Sequence, residues 1–127
     1  MTHILVIEDD LEFRAPLVTM LTQDGHQVSM SGDGVQALKM LNTLRPELII
    51  TDVLMPKMDG IEVILELSRS GSAVPIIAMS GGRRALTSNF NLDSAEIMGA
   101  KVTLAKPFSR VDLRRAIQQA LASTPAG

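Results

Sequence analysis

The stretch LIITDVLMPKMDG, residues 48–60, decides how this chain is read. Leu48, Ile49 and Ile50 run without a polar interruption into Thr51 and Asp52, and Pro56 and Gly60 close the segment. A short, continuously apolar run is the pattern of a strand covered on both faces, as strands of a parallel sheet flanked by helices are. A carboxylate at the end of such a strand should lie in a partly buried spot.

Outward from it, four further apolar runs appear at Ile4–Ile7, Val28–Met30, Pro75–Met79 and Val102–Leu104. Between them the spacing turns helical. Leu17 and Leu21 stand four apart, Leu38, Leu41 and Leu44 three apart, and Leu113, Ile117 and Leu121 four apart. Ile61–Leu67 is apolar enough for a strand, but Gly60, Gly71, Glu62 and Glu66 favour a helix. Strand alternating with helix predicts an α/β fold with a five-stranded parallel sheet. The runs at 4–7, 48–50 and 75–79 are apolar throughout, as central strands are. Gln27–Ser31 and Lys101–Leu104 alternate, as half-exposed edges do. Those edges match the doubly wound order 2-1-3-4-5, flavodoxin-like in topology, although other orders share them.

Some segments resist the scheme. Pro16 lies inside the first helical pattern, where it should kink or delay the helix. Gly81–Asn91 reads as a mobile loop or a frayed helix start. One domain is expected over 1–122, followed by a short polar tail at 123–127.

Composition narrows the function. The chain has 127 residues, 46% of them hydrophobic and 20% charged, with 12 Lys+Arg against 14 Asp+Glu. No basic block exists, and three Phe with no Tyr or Trp leave little for bases to stack on, so direct nucleic-acid binding is not expected. The absence of Cys excludes disulfides, thiol catalysis and Cys-built zinc sites. His3 and His26 form no metal motif and are assigned no role. The eight Met read as core filler. Neither a signal peptide nor a membrane span is evident, so a cytoplasmic protein without membrane insertion is expected.

In a doubly wound fold, ligands bind beyond the carboxyl ends of the strands. Glu8, Asp9 and Asp10 follow the first run, Asp52 the third, Ser80 the fourth and Lys106 the fifth. Asp10 reads as the N-cap of the first helix. Like charges gathered on one rim need a counter-cation or a raised pKa. Oxygen ligands without Cys or His select a hard cation, and a few carboxylates with water suit Mg²⁺. A divalent cation beside a carboxylate, with Lys and Ser opposite, is a layout for phosphoryl transfer, with the carboxylate as nucleophile.

The strings ILVIEDD (4–10), LIITDVLMPKMDG (48–60), IIAMSGG (76–82) and LAKPF (104–108) resemble the receiver domain of two-component response regulators. The resemblance implies that Asp52 takes a phosphoryl group from phosphohistidine on a histidine kinase or histidine phosphotransfer protein. It also implies Mg²⁺ held by Asp9, Asp52 and the Leu54 carbonyl, with Glu8 acting through water. Ser80 would bond a phosphoryl oxygen, and Gly81 would leave room for entry and offer its N–H. Lys106 would pair with Asp52 before phosphorylation and with the phosphate afterwards, and Lys106–Pro107 would be cis. Met55, Pro56 and Gly60 would shape the loop beside the acceptor.

Departures from the family stand out. Thr103 occupies the position where receivers usually carry a switch aromatic, so the signal must leave through Ser80, the 81–91 loop or Thr103. The interval from Ser80 to Lys106 is longer than usual. Lys101 stands where DNA-binding receivers generally have an acidic residue, so their salt-bridged dimer is not supported. Arg110, Arg114 and Arg115 read as a solvated helix face or, alternatively, as a dock for an acidic partner.

The expected role is that of a signalling switch that catalyses its own phosphorylation and dephosphorylation, acts on another protein and is not otherwise an enzyme. The alternative is a pseudo-receiver that binds a partner without being phosphorylated. An aspartyl phosphatase is disfavoured because Leu54 stands where a general acid would be needed. A flavin binder is weaker still, for want of a phosphate loop after the first run.

Overall fold

The apolar runs become strands whose burial follows their pattern. In the computed structural model, which describes residues 2–53, 60–80 and 99–122, the strands are β1 (His3–Ile7), β2 (Gln27–Ser31), β3 (Leu48–Asp52), β4 (Ile76–Ser80) and β5 (Val102–Ala105). They form one parallel sheet in the order β2-β1-β3-β4-β5, the expected doubly wound arrangement. Every residue of β3 and β4 is buried, whereas β2 and β5 are largely half-exposed.

Among the described residues the helices are α1 (Leu11–Gln23), α2 (Gly34–Met40), α3 (Gly60–Arg69) and α4 (Arg110–Leu121). Alternate strand residues face opposite layers. Leu5, Ile7, Ile49 and Ala78 pack with Ala37, Val63, Ile64 and Leu67 of α2 and α3. Ile4, Val6, Ile50 and Met79 pack with Leu17 and Leu21 of α1 and Leu113 and Ile117 of α4.

Helix ends are written locally. The Asp10 side chain accepts from the Glu12 N–H, as expected of an N-cap, and Asp33 does the same for Gln36. Ser109 and Asp112 make a reciprocal capping box at the start of α4. Gly25 and Gly71, at φ +89° and +78°, end α1 and α3 in a left-handed conformation that spares a Cβ clash. In both, the next N–H bonds back to a carbonyl five residues earlier, His26 to Leu21 and Ser72 to Leu67.

Three expectations need correction. Pro16 does not delay α1, which begins at Leu11 and continues past it. Both Pro16 and Glu12 are exposed, so water can reach the carbonyl that lost its donor. The Leu38–Leu41–Leu44 spacing is only partly helical, because α2 ends at Met40. Asn42 and Thr43 bond back three residues to Lys39 and Met40, tight turns that still carry Leu44 onto the core. Arg110 and Arg114 are not simply solvated, for both bond the Asp24 carboxylate at the end of α1, at 2.6 and 2.8 Å. Together they hold that carboxyl well below the usual carboxylate range, Arg114 contributing most.

Lys106–Pro107 is cis, as the resemblance implied. Among the described residues no helix is long and apolar enough to cross a membrane. Leu54, Met55, Pro56, Gly81, the 81–91 segment and the 123–127 tail lie outside the described residues.

Truncating the fully buried Ile50 to Ala should cost about 2–5 kcal/mol in urea unfolding. Truncating the exposed Met30 of edge strand β2 should change stability by less than about 0.5 kcal/mol. Equal losses would contradict the burial order of the sheet.

Candidate functional site

Parallel strands all end at the same edge, and register brings their last residues level. Ile7 pairs with Thr51, Asp52 with Met79, and Ser80 with Ala105. Backbone bonds carry the ladder past the strand ends, from Glu8 N–H to the Ser31 carbonyl and from Lys106 N–H to the Ser80 carbonyl. Glu8, Asp9, Asp52, Ser80 and Lys106 therefore share one rim.

Lys106 ties that rim together. Its Nζ lies 2.6 Å from Glu8 Oε1 and 3.2 Å from Asp52 Oδ1, with its side chain only 6% exposed. The other Glu8 oxygen accepts from the Asp10 N–H at 3.1 Å, so this fully buried carboxylate has a partner on each oxygen. Arg14 Nη1 donates to the Glu8 carbonyl and braces the turn from β1 into α1. Ser80 Oγ is buried and has no hydrogen-bond partner among the described residues. An orphaned buried hydroxyl is costly, which marks it as a group awaiting an acceptor or donor.

Three carboxylates gather where, among the described residues, the Lys106 ammonium pairs with Glu8 and Asp52. Glu8, Asp9 and Asp52 each offer an oxygen, and these atoms lie within 4.8 Å of one another. Burial first, and the charge of Glu8 second, push the Asp52 carboxyl up to about 7, despite the opposing pull of Lys106. Magnesium binds oxygens at about 2.1 Å, so ligands across its octahedron lie about 4.2 Å apart, and waters extend that reach. The spacing and the all-oxygen donor set fit such an ion.

The rim unites all the site residues anticipated from sequence that lie within the described part. The Lys106 contact with Glu8, shorter than that with Asp52, was not anticipated. Nor was Phe13, whose ring lies beneath the Lys106 ammonium. The sole signal for Phe13 was an aromatic ring early in a helix of a chain with three.

A family model described as the response regulator receiver domain matches residues 4–118. Response regulator MprA of Mycobacterium ulcerans is 35% identical over 111 residues, covering 87% of this chain and 46% of that protein. The chain spans about half the length of the curated relatives it matches. Among solved structures, the receiver domain of Francisella response regulator 1452 superposes with a TM-score of 0.85 at 28% identity, covering 98% of this chain and all of that one. The receiver domain of sensor histidine kinase PA1611 from Pseudomonas aeruginosa PAO1 gives 0.81 at 29% identity, covering 96% and 98%. That structure carries a magnesium ion coordinated in its active-site cleft.

The raised Asp52 carboxyl has a signed consequence for stability. Its folded-state pKa of about 7 exceeds the ordinary 3.8, so the folded state loses stability as pH rises between these values, and the loss persists above 7. Asp52→Asn should therefore stabilise the metal-free protein by up to about 4 kcal/mol at pH 8 and by almost nothing at pH 4. Thermal melts at both pH values measure this, and added Mg²⁺ should stabilise wild type more than the variant. A gain independent of pH would refute the charge account.

Proposed function

Because the chain belongs to the response regulator receiver domain family, we propose that it accepts a phosphoryl group on Asp52 and relays that state to another protein. The donor would be the phosphohistidine of a histidine kinase or histidine phosphotransfer protein in the cytoplasm. The observation that carries this reading is the Lys106 ammonium held against Glu8 and Asp52, with the buried Ser80 hydroxyl on the adjoining strand, without a partner among the described residues.

In the proposed step an Asp52 carboxylate oxygen attacks phosphorus in line. The new O–P bond forms as the P–N bond breaks, and the bonding pair stays on the leaving imidazole. Lys106 moves from the carboxylates to a phosphoryl oxygen, and Ser80 donates its O–H to another. Asp9, Asp52 and the Leu54 carbonyl would hold Mg²⁺, with Glu8 acting through water, and the ion would neutralise charge on the rim and on the phosphoryl oxygens. Water attacking the same phosphorus would return inorganic phosphate and free carboxylate, so the switch would reset itself. The added charge would bias a two-state element that a partner protein reads.

The pseudo-receiver alternative has less support. A domain that only binds a partner has no use for a nucleophile, a carboxylate cluster and a lysine kept together in a costly buried arrangement.

Intact mass after incubation with Mg²⁺ and acetyl phosphate tests the proposal. Gain of one phosphoryl group, abolished by Asp52→Asn and by EDTA, is the expected outcome. Lys106→Ala should slow the gain about tenfold or more. No gain from acetyl phosphate or from a phosphohistidine donor would overturn the reading.

A further inference from the structure

Lys106 is held from one side by something other than charge. Its Nζ lies 4.1 Å from the centroid of the Phe13 ring, in the first turn of α1. Phe13 in turn meets Phe108 in a T-shaped contact, with centroids 5.5 Å apart and ring planes at 81°. Both rings pack against the apolar layer beneath α1 and α4. The ring under the lysine is thus braced by the segment that leads from Lys106 into α4.

The face of an aromatic ring attracts an ammonium most strongly where water is excluded, and this lysine side chain is only 6% exposed. The ring differs in kind from the other partners. Glu8 and Asp52 are carboxylates for which a divalent cation competes with the lysine. Phe13 has no such competitor, carries no charge to be neutralised and accepts no proton. Its hold persists when the carboxylates turn to an ion and an incoming phosphoryl group claims the ammonium.

Resting on the phosphoryl transfer proposed above, we infer that Phe13 is a positioning residue for Lys106, its ring face keeping the ammonium at the rim while the carboxylates change partners. A phenyl ring has no group that could attack phosphorus, ligate a cation or carry a proton, so its part in the reaction runs through Lys106.

Initial phosphorylation rates with acetyl phosphate at saturating Mg²⁺ test this, in a cycle of Phe13→Leu, Lys106→Ala and the double variant. Phe13→Leu keeps an apolar side chain but removes the ring face, and should slow phosphorylation about fivefold to thirtyfold. Mg²⁺ affinity should stay within about twofold of wild type, since a phenyl ring supplies no ligand oxygen to the ion. Phe13→Tyr, which keeps the ring, should restore the rate. In the Lys106→Ala background Phe13→Leu should have no further effect. A merely structural role predicts instead that the two losses multiply and that Mg²⁺ affinity falls with thermal stability.

Should Phe13→Leu fail to fold, phenylalanines of increasing ring fluorination placed at position 13 preserve shape while weakening the negative face. The rate should then fall stepwise with fluorination, and a flat response would overturn the proposal. Wild type that takes up no phosphoryl group would defeat the receiver reading itself. Normal wild-type phosphorylation, impaired by Lys106→Ala but indifferent to Phe13→Leu, would defeat only the role of Phe13.

Discussion

The Lys106 ammonium draws together the rim of this sheet. Lys106 follows the edge strand β5, yet its Nζ reaches Glu8 beyond β1 and Asp52 at the end of β3. Those contacts span the intervening β4, and Glu8 and Lys106 stand 98 positions apart in the chain. The rest of the architecture serves that convergence. Parallel pairing delivers every strand to the same edge, and the two apolar layers fix the strands well enough to set distances between side chains.

Stability and strain are separated in space. Favourable burial lies in the helix-covered layers, where Ile4, Ile7, Ile49, Ile50 and Met79 are fully buried. The rim pulls the other way. Buried ion pairs seldom stabilise a fold overall, since desolvation offsets their attraction. Here one lysine is shared between two buried carboxylates, Glu8 and Asp52, with an Asp9 oxygen within 4.8 Å of theirs. The burial that makes β3 a good central strand is also the chief cause of the raised Asp52 carboxyl.

Where local pattern and tertiary context agreed, the chain was easily read. Alternation in Gln27–Ser31 and continuity in Ile76–Met79 separated edge from centre because burial on one face or two dictates those patterns. Asp10 declared itself as a cap because capping needs only neighbours in sequence. Reading failed where a contact crosses the fold. Arg110 and Arg114 carry no mark of their partner Asp24, which lies on another helix. Leu44 kept a helical spacing outside any helix, because tight turns reproduce a three-residue period. Pro16 leaves the start of α1 where Asp10 caps it, because a proline acts on the turn before it and not on the helix's first residue.

The sequence by itself determined the order of elements, the central and edge strands, the Asp10 cap of the first helix and the residues at each strand end. All of these follow from local periodicity, local hydrogen bonding and the rule that parallel strands share one polar edge. Beyond the Lys106–Asp52 pair that the family resemblance implied, only the tertiary structure decided which rim residues touch. That Lys106 approaches Glu8 more closely than Asp52, that Ser80 is buried without a partner among the described residues, and that Phe13 lies beneath the ammonium are facts of a few ångströms. Such distances are set by sheet twist and helix packing acting together. No pattern along the chain encodes them.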